Sequence, residues 1–473
     1  MNTKKMLLSS LILGSLLVAQ IGFAAEKVEL SLAEAIERAL KTEPRLGMSR
    51  GSVETAKGGM RSAQGEAGLS IGFGYKYSRG AYSKSVTPIT TSVNDSHGSN
   101  VQASLPIFTS GVLSGNIDKQ TGSFRASEYS YDQTLQTVRL DATTAYYNVL
   151  AYRDVVKLNK ESVERLKAHL ANVIAQFEVG TVARVDVLRS QVELANAEQL
   201  LIKSQNDFDV AVIKLLNIVG LPLDSDLSLK EELKYQSYSQ TLEECLAYAM
   251  TSRPDLYQAA HMVKGAKGGL QAARGGYGPQ VAAFATNEWG GETFPGSASS
   301  KWTVGATLNM NILDSGVTAG KVDQARGNLT NQTEQQRQTV LNANLEVRSA
   351  YLGLRESEKR IGTAEVAVSQ AEEDYKIAQL RYQAGVGTNV DVLDSQVALT
   401  TAQNNYVSAL YTYNTSKASL DKAMGIPTGY ELKHKYDAKA KLNLLGVQPP
   451  VVNSNPEVQT DVSVDNASVP KVE

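Results

Sequence analysis

The sequence is poor in the residues on which many enzymes and metalloproteins rely. Its 473 residues include one cysteine, Cys245, which excludes an internal disulfide and argues against a thiolate-rich metal site. The four histidines are scattered and predict no metal site. The 47 basic and 49 acidic residues nearly cancel, so nucleic acid is not expected as a partner. With no Ser/His/Asp pattern either, we expect no enzyme and no cofactor.

Long apolar runs are also missing, apart from a short one at the N-terminus. Lys4 and Lys5 precede an apolar run from Met6 to Val18, and Gly22-Phe23-Ala24 supplies small residues for cleavage. This order predicts a secretory signal peptide at 1–24. A membrane anchor would need about 20 apolar residues. Because no later stretch reaches that length, a mature chain that crosses a membrane must do so with β-strands.

The chain contains two copies of one long unit. Residues 180–194 read GTVARVDVLRSQVEL and residues 385–399 read GVGTNVDVLDSQVAL, an offset of 205 positions. Near the start of each unit, Leu32, Pro44 and Leu46 match Leu242, Pro254 and Leu256. Two tandem copies predict an internal two-fold repeat. We place the units at 25–223 and 241–428, a linker at 224–240 and a C-terminal region with a flexible tail at 429–473.

Glycine and proline are scarce within each unit, and this scarcity predicts very long helices. Neither residue occurs from Ser123 to Val179, where a continuous helix would be about 85 Å long. The apolar residues there step by three and four, the spacing of a coiled-coil seam: Val163, Leu166, Leu170, Val173 and Phe177. We predict helical hairpins at 113–219 and 318–424 with tips near Gly180 and Gly385. Shorter helices are expected at 45–64 and 256–273.

Between the short and long helices of each unit, apolar residues alternate with small or polar ones. This alternation predicts four strands, at about 69–79, 100–108, 281–289 and 301–312. Polar loops are expected at 80–100 and 290–300. Such strands fit the wall of a transmembrane barrel, although a soluble antiparallel sheet alternates in the same way; the export signal favours the membrane. Since open edges are not tolerated in lipid, the strands must be shared between chains.

From about Ser31 to Pro427 the sequence resembles the TolC-type outer-membrane efflux protein family. The resemblance rests on the duplicated unit, on LPIFTSG at 105–111 and on VGTNVDVLDSQ at 386–396. It implies an α+β membrane protein that forms a homotrimer. A 12-stranded outer-membrane β-barrel, with four strands per protomer, would continue as a long periplasmic α-helical coiled-coil barrel.

The resemblance also implies a function. Such a protein is the exit duct of a tripartite efflux pump or a type I secretion system, and it passively conducts small molecules or unfolded polypeptide. Its partners would be a periplasmic adaptor, an inner-membrane transporter of RND, ABC or MFS type, and outer-membrane lipid. A second hypothesis is an envelope-spanning tether or adhesin, built on the same coiled coil without transport.

Four charged residues at the predicted tips stand out. In the family, aspartates that match Asp391 and Asp394 line the periplasmic entrance and form stacked acidic rings in the trimer, which would favour cations. Alternatively, these carboxylates only complement the dipole of the helix that they begin. In the first unit Arg189 takes the place of the second aspartate, where it could pair with Asp186 three residues earlier.

Other tip residues are assigned to closure, turns and docking. Asp186 and Tyr382 match positions whose contacts close the entrance, although Tyr382 also continues the seam and suits packing. Gly387 stands where some relatives carry an arginine used in closure, so part of that latch is missing. Gly180 and Gly385 suit tight turns. The apolar pairs beside them are expected either to meet the adaptor or to cover the hairpin end: Val187, Leu188, Val392 and Leu393.

Overall fold

A computed structural model of the chain describes residues 27–84, 90–294 and 299–431. The predicted signal peptide and the C-terminal tail from 432 onward lie outside the described residues. Each unit contributes four helices within the described part. In the first unit these are α1 (Leu32–Thr42), α2 (Pro44–Gly65), α3 (Val112–Glu178) and α4 (Arg184–Val219). In the second they are α5 (Leu242–Ser252), α6 (Pro254–Gly275), α7 (Val317–Gln383) and α8 (Asn389–Met424).

Corresponding helices of the two units have identical lengths, which are 11, 22, 67 and 36 residues in chain order. The same local signals begin the first two helices of each unit. A capping box at Ser31 starts α1 and another at Thr241 starts α5. Proline, whose missing N–H costs nothing at the first position of a helix, begins α2 and α6. The repeat in sequence is therefore a repeat in structure.

Six strands form two separate sheets in the described chain. They are β1 (Lys27–Leu30), β2 (Ser70–Lys84), β3 (Thr90–Phe108), β4 (Asp226–Leu229), β5 (Gln280–Gly291) and β6 (Ser299–Asn309). The larger sheet is antiparallel in the order β2-β3-β5-β6, and β1 pairs with β4 in parallel. The polar loop expected at 80–100 was wrong, because β2 and β3 continue through most of it with Lys84 paired to Thr90.

The apolar face of the larger sheet is not covered by any described part of the chain. Phe73, Trp302 and Val304 are each about 70 % exposed, at 71 %, 76 % and 69 %. They alternate along their strands with small or polar residues, as the sequence predicts for strands with one apolar face. Among the described residues, no helix combines the length and the hydropathy that crossing a membrane requires.

The main core lies where the long helices of both units meet the small β1–β4 sheet. Tyr146 and Leu150 of α3, Leu215 of α4, and Leu354 of α7 with Tyr413 of α8 are fully buried there. The β1–β4 sheet was not predicted from the sequence, and β4 lies in the segment assigned as a linker. The Glu231 carboxylate, just after β4, accepts the Leu32 N–H at 3.1 Å and the Tyr146 hydroxyl. These two hydrogen bonds tie the start of α1 and the middle of α3 to the segment that follows β4.

Close backbone packing joins α3 of the first unit to α6 of the second. A Cβ added to Gly122 would lie 2.6 Å from the Gly265 Cα and 2.7 Å from the His261 carbonyl oxygen. At Gly115 an added Cβ would lie 2.5 Å from the Gly268 carbonyl oxygen. Only glycine permits such an approach.

We predict that Gly122→Ala destabilises the protein, because the new methyl group must push α3 and α6 apart. Overpacking of this kind costs about 1–3 kcal/mol, which exceeds the gain of about 1 kcal/mol from replacing glycine within a helix. The measurement is the unfolding temperature in detergent, followed by circular dichroism. Gly362→Ala in α7, where an added Cβ meets nothing within 4 Å, is the control and should not lower that temperature. Equal losses in both variants would contradict the packing argument.

Candidate functional site

The ends of the two long hairpins lie side by side and bring together most of the residues singled out from the sequence. Each hairpin turns at a glycine in the left-handed region, Gly180 with φ 78° and Gly385 with φ 71°. Gly387 donates its N–H to the Arg381 carbonyl at 3.0 Å. A Cβ at Gly387 would lie 3.0 Å from the Arg381 Cβ. An arginine at this position would therefore require the turn to shift.

A small apolar core joins the two tips. It includes Val173 of α3, Tyr382 of α7, Val392 of α8 and, at its edge, Val187 of α4. Val392 and Leu393, for which the sequence left adaptor contact and covering of the hairpin end open, are only 1 % and 5 % exposed, because the second hairpin packs this face against the first. Within one chain this burial favours the covering role. By contrast, Leu188 is 51 % exposed.

A buried polar cluster crosses between the hairpins beside this core. His169 Nε2 lies 2.6 Å from Asn389 Oδ1, which also accepts the Ser190 hydroxyl at 3.3 Å. The Asn389 amide donates to the Asp186 carbonyl at 3.1 Å. His169 and Asn389 were not selected from the sequence. The only signal was a histidine within the apolar seam, between Leu166 and Val173.

Tyr382 contributes to the tip mainly by packing. Its ring lies 5.3 Å from that of His169, and its hydroxyl is buried without a hydrogen-bond partner in the described chain. Burial raises the pKa of this hydroxyl, and the nearby charge of Asp186 adds to the effect. Asp186 meets the second hairpin through its backbone carbonyl. Within the described residues Arg189 forms no ion pair, so the pairing with Asp186 suggested by the sequence is not seen.

Asp391 and Asp394 share an exposed groove on the second hairpin. The groove has a volume of about 370 Å³ and is lined by α7 and α8, with Asp374 and Arg381 among its other residues. We call it the tip groove. Asp391 also accepts the backbone N–H of Thr388 at 3.0 Å, which with the Thr388 hydroxyl lowers the pKa of this carboxyl. The Asp391 carboxylate therefore stabilises the first turn of α8, in addition to any role at an entrance. No cluster in the described part of the chain has the ligands to hold a metal ion.

A second buried polar contact, also missed from the sequence, lies further along the same seam. The Gln396 amide donates to the Ser162 hydroxyl at 3.2 Å and its carbonyl accepts from Arg165 at 3.1 Å. Gln396 lies in the motif that carries the resemblance, yet its side chain points into the interface between the hairpins. Part of that motif therefore serves the packing of α8 against α3.

The polar cluster predicts an acid-sensitive tip. Burial lowers the pKa of His169, opposed only partly by its bond to Asn389. A histidine with a lowered pKa in the folded state is protonated more readily in the unfolded state, so its contribution to stability is lost as the pH falls through about 6.5. We expect the unfolding temperature to drop more between pH 7.5 and pH 5 in the wild type than in His169→Gln. An unchanged pH dependence in the variant would contradict this assignment.

Comparison with known proteins places this geometry in context. A sequence model of the outer membrane efflux protein family matches residues 35–221 and 246–426. Outer membrane protein TolC of Escherichia coli is 23 % identical over 450 residues, which are 92 % of this chain and 88 % of that protein. Alkaline protease secretion protein AprF of Pseudomonas aeruginosa is 24 % identical over 84 % of this chain and 85 % of its own length.

The fold also matches a solved channel. The CmeC outer membrane channel of Campylobacter jejuni superposes with a TM-score of 0.77, at 17 % identity, over 88 % of this chain and 89 % of its own. These comparisons confirm the resemblance seen in the sequence and the class of fold, in which long helices are combined with a few strands. The two matched segments coincide with the two structural units. The chain therefore belongs to the outer membrane efflux protein family.

Proposed function

We propose that this protein is the outer-membrane exit duct of a tripartite efflux pump or of a type I secretion system. Three copies form a barrel of twelve strands in the outer membrane, which continues as a tube of helices through the periplasm. The observation that carries the proposal is the four-stranded sheet, with its exposed apolar face, joined to two helices of 67 residues.

The sheet is the reason to expect several copies. β2 and β6 end the strand order, so in the described chain each pairs on one side only. Unpaired backbone groups are too costly in lipid to persist there. Sharing strands between chains removes both edges. An interior of about eight strands is filled by side chains, so twelve strands from three chains leave a lumen where eight from two would not.

The long helices supply the length of the duct. At 1.5 Å per residue, α3 and α7 are each about 100 Å long. The tips therefore lie far from the sheet, where an inner-membrane transporter of RND, ABC or MFS type can be reached through a periplasmic adaptor. Exposed side chains at both turns, Val179 and Val386, offer apolar contacts to that adaptor. The name of the matched family refers to efflux and that of AprF refers to protease secretion, and these names support the two proposed roles.

The protein performs no chemistry and uses no cofactor in this role. It is exported by its N-terminal signal peptide, cleaved after about Ala24, and is located in the outer membrane with its helices in the periplasm. Passive conduction through a wide lumen leaves the choice of cargo to the transporter. The acidic side chains at the tips then act on the ions and solutes that enter.

Reconstitution tests the proposed function against a tether or adhesin. The full mature protein, purified in detergent and added to a planar lipid bilayer, should give discrete single-channel steps. Its mass in detergent, by light scattering, should be that of three chains. A trimer that does not conduct would overturn the duct and favour the tether, and a monomer that needs no detergent would overturn both.

We predict that Asp394→Asn reduces the cation selectivity of the channel and weakens block by divalent cations. Asp394 lies in the tip groove, and a ring of three carboxylates at an entrance attracts cations. The measurement is the reversal potential in a salt gradient, with divalent cations then added on the tip side. Asp394 is preferred to Asp391 because the Asp391 carboxylate also belongs to the capping box that begins α8. The control is Glu372→Gln, which removes an exposed acid on α7 that does not line the groove. Equal effects in the two variants would exclude a ring of Asp394 carboxylates at the entrance.

A further inference from the structure

The two units are so alike that a contact in one has a defined counterpart in the other. Each residue of α3 and α4 has an equivalent 205 positions later in α7 and α8. At the tips, however, only one of the two possible contacts between hairpins is extensive within the described residues. The start of α8 rests on α3, whereas among the described residues α4 has far less contact with α7, limited at its start to the edge of the tip core at Val187.

The observed contact between the start of α8 and α3 identifies the residues that an equivalent contact between α4 and α7 would use. Asn389 reaches His169 and Leu393 packs with Val163 and Leu166. The equivalents of these residues, 205 positions away, are Arg184 and Leu188 on α4, and Asp374, Val368 and Ala371 on α7.

The faces that carry these equivalents are open in the single chain. Leu188 is 51 % exposed, whereas its equivalent Leu393 is 5 % exposed. Asp374 is exposed, whereas its equivalent His169 is buried. Asp374 also lines the tip groove, the place on the second hairpin that corresponds to the α8 binding site on the first. The groove is thus formed by α7 and α8, the equivalents of α3 and α4, which hold the start of α8 within this chain.

The charges on the two open faces are complementary. Arg184 is basic and Asp374 is acidic, and neither has an ion-pair partner within the described residues. The other charged residues that line the tip groove are Arg381, Asp391 and Asp394, so acids outnumber bases there. Within the chain the corresponding contact, between His169 and Asn389, is a hydrogen bond rather than an ion pair. The sequence therefore places a charged pair where the repeat requires a second contact.

We propose that the start of α4 in one copy of this chain binds the tip groove of the next copy, with Arg184 paired to Asp374. This proposal rests on the oligomer of the proposed function. Leu188 then covers Val368 and Ala371, as Leu393 covers Val163 and Leu166 within one chain. The ring of hairpins has two kinds of seam in alternation, one joined at the tip by a hydrogen bond within each chain and one joined by an ion pair between chains. Exposed ion pairs weaken as salt screens them, so the seams between chains open first.

Cysteine cross-linking tests the contact. The double variant Arg184→Cys/Asp374→Cys, under mild oxidation, should shift from monomer to dimer and trimer bands on a non-reducing gel, and reduction should reverse the shift. The native Cys245 is fully buried and can remain. Arg184→Cys/Glu372→Cys is the control, because Glu372 is equivalent to Lys167, which is exposed beside the existing contact. Single-cysteine variants detect cross-links between identical positions.

The outcomes separate this proposal from the proposed function. If the wild type is a trimer but the 184/374 pair cross-links no more than the control, the Arg184–Asp374 contact is overturned and the duct stands. If the wild type is a monomer in detergent, both the contact between chains and the proposed exit duct are overturned. Strong cross-linking of the 184/374 pair alone supports the contact.

Exchange of the two charges provides a second test that does not depend on cross-linking. Arg184→Asp and Asp374→Arg, each alone, place like charges across the seam and should lower the temperature at which the oligomer dissociates. The double variant Arg184→Asp/Asp374→Arg should recover most of that loss. A double variant with the summed loss of the two single variants would overturn the pairing, since residues that do not interact have additive effects.

Discussion

The equal length of corresponding helices is the constraint on which the rest of the structure depends. The long helices have 67 and 36 residues in both units, so the two hairpins turn at the same distance from the sheet. The tip of the first hairpin can therefore pack against the tip of the second. α3 occupies the centre of this arrangement, because it contacts α4 and α2 of its own unit and α6 and α8 of the other. Its close approach to α6 at Gly122 and Gly265 holds the two units in register. A change in length on one side would separate the residues that meet at the tips.

Much of the scaffold could be predicted from the sequence, because the signals are local. The scarcity of glycine and proline gave the long helices, and α3 begins within one residue of its predicted start. The polar stretch at 80–100 was misassigned because Ser, Thr and Asn are common in loops, whereas pairing with a neighbouring strand decided its structure. β1 and β4 have four residues each, too few for a periodic pattern.

The candidate site was predictable in position but not in detail. The repeated motif at 180–194 and 385–399 predicts where the chain turns, at Gly180 and Gly385, and where the acidic residues of α8 lie. The burial of Val392 and Leu393 does not, because it depends on which hairpin packs against which. His169 and Asn389 are 220 positions apart, and nothing in either local sequence indicates their hydrogen bond. Repeat symmetry, applied to the observed contact, is what relates Arg184 to Asp374.

The pairing of β1 with β4 has a consequence for how the protein is made. Lys27 lies opposite Asp226, so the first strand of the described chain has no partner until some two hundred further residues have emerged. Contacts between positions so distant in sequence form slowly, because a large loop must close first. This strand therefore stays unpaired while the rest of the first half condenses. A chain cut short before Asp226 would leave the backbone N–H and C=O groups of this strand without their parallel partner, so a proteolytic nick in the first half should release its beginning.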